Sequence, residues 1–231
     1  MKKNLIAGLA LWLGLFSSVQ AAPVTVDLKY TGFSIGAQGG SITNDGSSLN
    51  DIGAGMFGFE VSNPQGDSPI AWNSTLEAFC VQIDTMLDAN QTTYILDGAD
   101  SYFGDAATVD QIGRLYTGYH DDVTDSLRSA AFQLALWELI NEDDNSLLLG
   151  SGSFNSTKFG GARGLANTWL AGLENIENAF DLYVLKTDPT DLSQDLLVFS
   201  PQPPHKVSEP GTLALLGLAI VAFGLRHKAR S

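Results

Sequence analysis

Hydrophobic and polar positions along the chain change their period near residue 108 and again near residue 180. In the first part, short apolar or alternating runs predict β-strands at 24–30, 32–37, 55–62, 76–84 and 92–98. The Gly- and Asn-rich segment 38–51 is predicted to be a connection between strands. The runs at 76–84 and 92–98 are close enough along the chain to predict a hairpin.

The middle of the chain has the spacing of helices. Apolar positions recur every three or four residues over 108–120, about 124–142 and 161–175. Thr108 and Gln111 have the spacing of a capping box at the start of the first helix.

Alternation returns at 180–186 and 195–201, which predicts two strands around a turn. The order of strands, helices and strands predicts an α+β fold over residues 22–200. Its core is predicted to be a mainly antiparallel β-sandwich or barrel with a helical insertion.

Residues 1–21 have the pattern of a secretory signal peptide. Lys2 and Lys3 precede a short apolar run, and Val19 and Ala21 stand where signal peptidase requires small residues. We therefore expect export, with signal peptidase cutting after Ala21.

The other end of the chain has three parts. A proline-rich linker, 201–207, leads into a tail at 208–231 that contains a short apolar segment, 212–225. That segment is shorter than most membrane-spanning helices, so it predicts a marginal anchor. Basic residues after it would stop transfer and stay in the cytoplasm, namely Arg226, Lys228 and Arg230.

This tail resembles a PEP-CTERM sorting signal. The matching sorting motif is Val207, Ser208, Glu209 and Pro210, with Ser208 where the family usually has proline. The resemblance implies that an exosortase processes the tail, so that contact with the membrane is transient. It also implies an inner-membrane intermediate that passes to the cell surface or to an extracellular matrix rich in exopolysaccharide. An ordinary tail anchor is the alternative.

The body of the protein is strongly acidic. Between residues 22 and 205, there are 25 Asp and Glu against six Lys and Arg. This charge excludes nucleic acid as a partner, because phosphate binding requires a basic surface. The acidic segments 97–100 and 141–145 lack the spacing of a calcium loop and are predicted to be solvated turns. No metal site and no cofactor are predicted.

Two polar residues lie in apolar surroundings. Gln133 falls on the same helical face as Ala130, Trp137 and Ile140, and Cys80, the sole cysteine, lies in an apolar strand. A buried carboxamide without hydrogen bonds costs a few kcal/mol. Taken singly, each has an ordinary explanation: Gln133 as a core amide bonded to a strand edge, and Cys80 as a small buried hydrophobe.

Taken together, the segments FCVQID and FQLALW resemble the thioester domain of bacterial surface proteins. The resemblance implies a bond between Cys80 and Gln133, with Phe79, Phe132 and Trp137 as candidates to shield it from water. Phe132 replaces the threonine usual in that family, and the acidic residue after the cysteine is displaced to Asp84. The function implied is covalent attachment to a nucleophile on an extracellular polysaccharide or a surface protein. Because such a reaction has no turnover, we expect no enzyme activity.

Two other functions fit parts of the pattern. A catalytic dyad of Cys80 and His120 is one. The other is a noncovalent polysaccharide-binding or structural surface protein that binds through Trp72, Tyr116 or Tyr119, with Cys80 and Gln133 only in the core.

Overall fold

The computed structural model describes residues 22–143, 146–187, 189 and 192–202. The signal peptide, residues 203–207 of the linker and the tail with its segment 212–225 lie outside the described residues. So do the predicted sorting motif and membrane stop, which are Val207, Ser208, Glu209, Pro210, Arg226, Lys228 and Arg230. Within the described ranges, no helix is both long and apolar enough to cross a membrane.

Strands precede and follow a helical region, as the sequence predicts in outline. The strands are β1 (Thr25–Phe33), β2 (Gln38–Asn44), β3 (Ser47–Ala54), β4 (Phe57–Gln65), β5 (Thr75–Cys80), β6 (Gln91–Gly98), β7 (Phe154–Thr157), β8 (Phe180–Thr187) and β9 (Leu196–Pro201). The α-helices are α1 (Ala99–Phe103), α2 (Ala106–Tyr119), α3 (Ser126–Asn141) and α4 (Ala162–Gly172).

Six of these strands form a closed antiparallel barrel in the order β1-β4-β5-β9-β8-β6. The pairing of β1 with β6 closes it. A second sheet has the order β3-β2-β7, and all four helices fall between β6 and β8 along the chain. The predicted α+β fold with a helical insertion is therefore confirmed.

The segment 38–51 is not a connection, so that prediction is wrong. It folds into the hairpin of β2 and β3, in which Asn44 pairs with Ser47 across a two-residue turn. Asp45 and Gly46 in this turn have φ of 47° and 79°. An Asp-Gly pair adopts these values readily, and the resulting turn matches the twist of the flanking strands. The strand predicted at 32–37 is also wrong, because only its first two residues belong to a strand, the end of β1.

The hairpin predicted from 76–84 and 92–98 does not form. β5 pairs with β4 and β9, whereas β6 pairs with β1 and β8. The strand also stops at Cys80 instead of continuing to residue 84. Barrel closure decides these pairings, and the alternation of a single strand carries no information about it.

Aspartates, rather than the predicted capping box, begin the two long helices. The Asp105 side chain accepts hydrogen bonds from the backbone N–H groups of Ala107 and Thr108, so α2 starts two residues before the predicted position. Asp125 caps α3 in the same way. The segment 97–100, predicted to be a turn, is instead the end of β6 and the start of α1.

Helix α3 is the centre of the fold. Every residue from Ser129 to Leu139 is buried, because the helix packs against α2 and α4 as well as strands β2, β3 and β7. An amphipathic helix shows one polar face, whereas this one is apolar nearly all round. The carboxamide of Gln133 is therefore carried into the core.

Candidate functional site

Cys80 and Gln133 meet in the core. The backbone N–H of Cys80 donates to Oε1 of Gln133 at 3.0 Å, and Nε2 of Gln133 donates to the backbone carbonyl of Cys80 at 2.8 Å. The two residues are 53 positions apart along the chain. The carboxamide thus lies flat against the Cys80 backbone, with both of its polar atoms satisfied.

The pairing of β5 at its end explains why the Gln133 side chain, and not a neighbouring strand, bonds to the Cys80 backbone. On one side, β5 pairs with β9 as far as Cys80, which lies opposite Leu196. On the other side, pairing with β4 ends two residues earlier, at Ala78 opposite Phe57. Gln133 therefore supplies the hydrogen bonds that a longer β4 would have made.

Ser129 likewise forms a hydrogen bond with the backbone at the start of β4. It lies one turn before Gln133 in α3, and its Oγ accepts the backbone N–H of Met56 at 2.7 Å. Two polar residues on one face of α3 thus hold the ends of two adjacent barrel strands. The position of Gln133 relative to Cys80 is fixed by this docking of helix on barrel.

The Cys80 thiol is sealed from solvent. Its residue is 0% exposed and Gln133 is 1% exposed. The Sγ–H group donates to the backbone carbonyl of Gln82 at 2.6 Å. Burial raises the pKa of this thiol strongly; hydrogen bonds with the Gln82 backbone and the Trp137 side chain partly oppose the shift, and the carboxylates of Asp195 and Asp84 add to it. The thiol is therefore protonated at neutral pH.

Aromatic side chains surround the pair at the predicted positions. Phe79 and Phe132, the neighbours of Cys80 and Gln133 in sequence, stack with ring centroids 4.3 Å apart. Trp137 lies one turn beyond Gln133 and is 4% exposed. The structure thus places all five predicted site residues of the body in one buried cluster.

Sequence patterns missed the residue that holds the thiol. Besides the thiol, the Gln82 carbonyl accepts Nε2 of Gln194 at 3.3 Å, and the Gln82 side chain accepts the backbone N–H of Asp195 at 2.9 Å. These contacts join the segment after β5 to the loop before β9. The alternation that places Gln82 on the same strand face as Cys80 was the available signal, but it could not show the partner loop.

The tail of the chain carries a recognisable motif. Residues 206–230 match the PEP-CTERM protein-sorting motif. This signal marks an exported protein that an exosortase system processes, as the sequence predicted. The match covers only the tail and leaves the folded body unassigned.

Comparison of the whole chain adds little about function. No curated protein matches it. Among solved structures, it is similar to the thioester domain of the Staphylococcus aureus TIE protein, with 16% sequence identity and a TM-score of 0.38. The alignment covers 67% of this chain and 54% of that one, so this chain spans about half the length of the other structure.

His120 is the other candidate catalytic residue of the body. His120 follows α2 directly, as predicted, and its ring stacks on Tyr116 with centroids 4.1 Å apart. Its Nδ1 lies 3.8 Å from a carboxylate oxygen of Asp121. In the part of the chain that the structure describes, its ring contacts are to Tyr116 and Phe132, and none is to the Cys80 sulfur. The Cys80–His120 dyad is not assembled.

Of the three aromatic residues proposed for sugar binding, Tyr116 and Tyr119 pack against other rings, and Trp72 is partly buried against the core. Tyr116 stacks on both His120 and Phe199, the latter with centroids 3.6 Å apart. Tyr119 stacks on Trp169 at 5.1 Å. A sugar-binding aromatic presents an open ring face, and the stacking within the fold already uses Tyr116 twice and one face of Tyr119. The described residues also contain no cluster of side chains able to hold a metal ion.

His120 makes the stability depend on pH. Burial lowers its pKa, and the carboxylates of Asp121 and Glu77 oppose the shift in part. Because the unfolded chain then binds the proton more tightly, the free energy of unfolding should fall as the pH drops through the ordinary histidine value of 6.5 and below. We expect His120→Phe, which keeps the stack on Tyr116, to reduce this acid-side loss in urea unfolding from pH 8 to pH 5. An unchanged pH profile in the variant would show that other groups cause it.

Proposed function

We propose that this exported, exosortase-sorted protein attaches covalently to a partner through a thioester between Cys80 and Gln133. The observation that supports the proposal most directly is the contact itself. The sole cysteine of the chain and a buried glutamine 53 residues away lie against each other in a sealed core. The final location, at the cell surface or in an extracellular matrix, is part of the same proposal.

The contact has the elements that bond formation needs. The Cys80 sulfur attacks the side-chain carbonyl carbon of Gln133, the C–N bond breaks, and the thiol proton leaves with the amide nitrogen as ammonia. Negative charge that develops on Oε1 during the attack faces the backbone N–H of Cys80, 3.0 Å away. The sulfur must first turn from the Gln82 carbonyl toward Gln133, which requires rotation about a single bond.

The surroundings suit storage of such a bond. A thioester is an electrophile that water hydrolyses, so it persists only where water is excluded. Cys80, Gln133, Phe79 and Phe132 are all at most 1% exposed. A single cysteine also helps, because a second thiol would open the bond by exchange.

The stored bond would react once. A nucleophile on an extracellular polysaccharide or a surface protein would take the acyl group of Gln133 and leave Cys80 as a free thiol. The protein would then be linked to its partner by a stable bond without turnover. It would act as an adhesive surface component and not as an enzyme.

A purely structural amide is the competing interpretation, and one specific observation favours it. The two hydrogen bonds between the Gln133 carboxamide and the Cys80 backbone satisfy both groups without any reaction. In that case the exported body would be a structural or noncovalently binding surface domain. The two interpretations differ in whether Gln133 can be transferred to an amine.

Labelling with a small amine tests the proposal. Purified mature protein is incubated with a fluorescent primary amine at neutral pH, and the labelled peptide is identified by mass spectrometry. We expect about one label per chain, on Gln133, with release of the Cys80 thiol. Cys80→Ala should take up no label. Wild-type protein that remains unlabelled at Gln133, or that is labelled equally in Cys80→Ala, would exclude the thioester.

A further inference from the structure

Two clefts approach Cys80 from different sides. The aromatic cleft, about 260 Å³, is lined by Phe79, Tyr116, His120 and Ala71 among others. The hairpin cleft, about 410 Å³, lies between the β2–β3 hairpin and the segment 81–84 that follows β5. Its lining includes Asp45, Ser47, Leu49, Gln82, Asp84 and Asn141. A stored thioester needs a route by which a nucleophile reaches it. Each of these clefts is lined by a sequence neighbour of Cys80, Phe79 in one and Val81 in the other, so both are candidates for that route.

The aromatic cleft is closed toward the site by two rings. Phe79 forms part of its wall and is stacked on Phe132 at 4.3 Å, and both side chains are almost completely buried. Opening this side would separate a packed aromatic pair, with loss of its contacts and of buried apolar area. This wall is therefore suited to exclude water.

The hairpin cleft is separated from the thiol by segment 81–84 and not by stacked rings. Gln82 lines it, and the carbonyl of the same residue accepts the hydrogen bond of the Cys80 thiol at 2.6 Å. Segment 81–84 belongs to no strand of the described chain. It is held to the loop before β9 through Gln82 and through a backbone hydrogen bond from Val81 to Asp195 at 3.1 Å. Displacing it breaks these hydrogen bonds, which water can replace, and exposes the buried side chain of Val81, but it separates no aromatic stack.

We propose that the hairpin cleft is the route by which the nucleophile reaches the Cys80–Gln133 bond. This inference rests on the proposed function. Asp45 at the tip of the hairpin and Asp84 on the opposite wall are both exposed, so the opening carries negative charge on two sides. The aromatic cleft has one exposed carboxylate in its lining, Glu77, beside His120. A nucleophile on a positively charged group is therefore drawn more strongly to the hairpin cleft, which has two.

The reaction through this route is a simple acyl transfer. The nitrogen of a neutral amine attacks the carbonyl carbon of Gln133, and the C–S bond breaks. A proton from the amine moves to the sulfur. The products are a secondary amide at Gln133 and the free thiol of Cys80, which can again donate to the Gln82 carbonyl.

A pair of bulky substitutions tests the route. Ser47→Trp fills the exposed wall of the hairpin cleft, and Ala71→Trp fills the exposed wall of the aromatic cleft as a matched control. We expect Ser47→Trp to slow amine labelling of Gln133 by about tenfold or more, the scale of a blocked approach, and Ala71→Trp to leave it within about twofold of wild type. The reverse pattern would overturn the proposal, as would equal rates in all three proteins.

A second probe tests the charge at the opening. The rate with 1,4-diaminobutane, which keeps one cation free while the other amine reacts, is compared with the rate with 4-aminobutanol. We expect a preference of about threefold for the diamine, the size of a surface ion pair, and its loss in the double variant Asp45→Asn, Asp84→Asn or in high salt. A preference unaffected by the variant would exclude these carboxylates as its cause.

Alkylation of the free Cys80 thiol separates the route from the thioester. A small alkylating reagent is applied to Gln133→Ala, in which the bond cannot form, with and without Ser47→Trp or Ala71→Trp. If only Ser47→Trp slows the reaction, the hairpin cleft is the route to the sulfur even where wild-type protein shows no thioester. If only Ala71→Trp slows it, the route proposal is wrong and the thioester proposal stands on its own labelling result.

Discussion

The mature protein is expected to weigh less than its sequence by one ammonia. The reason is that each Cys80–Gln133 bond expels the amide nitrogen of Gln133 as it forms. The measurement is the intact mass of fresh protein kept at neutral pH and free of amines. Small amines should then add their full mass to the protein, because they open the bond without expelling another group.

Two variants serve as controls for the mass measurement. Cys80→Ala removes the attacking sulfur and Gln133→Glu removes the leaving ammonia, so each should show the full mass of its own sequence and take up no amine. Since the chain has no other cysteine, no second thiol complicates the result. A full, unmodified mass in fresh wild-type protein would refute the thioester and leave the hydrogen-bonded amide as the native state.

Cys80→Ala is expected to lower the free energy of unfolding by about 5 kcal/mol, a large effect for the loss of one sulfur atom. A crosslink between residues 53 apart stabilises a chain by about 4 kcal/mol, because it restricts the unfolded state. Removal of the buried sulfur leaves a small cavity that costs about 1 kcal/mol more. Urea unfolding of the variant and the wild type measures the difference.

The controls separate the crosslink from the packing. Wild-type protein opened beforehand with methylamine should lose the crosslink contribution without any mutation. Gln133→Ala leaves two buried backbone groups of Cys80 without partners, so it should cost about 4 kcal/mol even if no bond exists. Gln111→Ala, on the partly exposed face of α2, should change little. A loss of only about 1 kcal/mol in Cys80→Ala would mean that the crosslink is absent.

Local patterns predicted much of this fold. The helices around Ile112, Gln133 and Trp169 and the closing pair of strands, β8 and β9, appear near their predicted places, because helix and strand periods reflect which face is buried. The hairpin of β2 and β3 was missed although its turn contains Asp45-Gly46. Its strands are rich in Gly and Ser, and only packing against α3 explains them as strands.

For the candidate site, too, the sequence predicted some features and missed others. Periodicity placed Gln133 in an apolar helix and Cys80 in an apolar strand, and the resemblance to thioester domains suggested that they meet. Their contact depends on where β4 stops pairing with β5, which alternation cannot reveal. The roles of Gln82 and Ser129 were missed for the same reason, since their partners lie 113 and 73 residues away along the chain.

The register of β9 also determines at which end of the barrel Cys80 lies. Leu196 at its start lies opposite Cys80, whereas Pro201 at its end pairs with Phe180. Five residue steps along a strand separate these ends by about 17 Å. The chain thus leaves the barrel toward its sorting tail at the end remote from Cys80. The Cys80 end of the barrel is thus kept clear of the point at which the sorting tail joins the folded body.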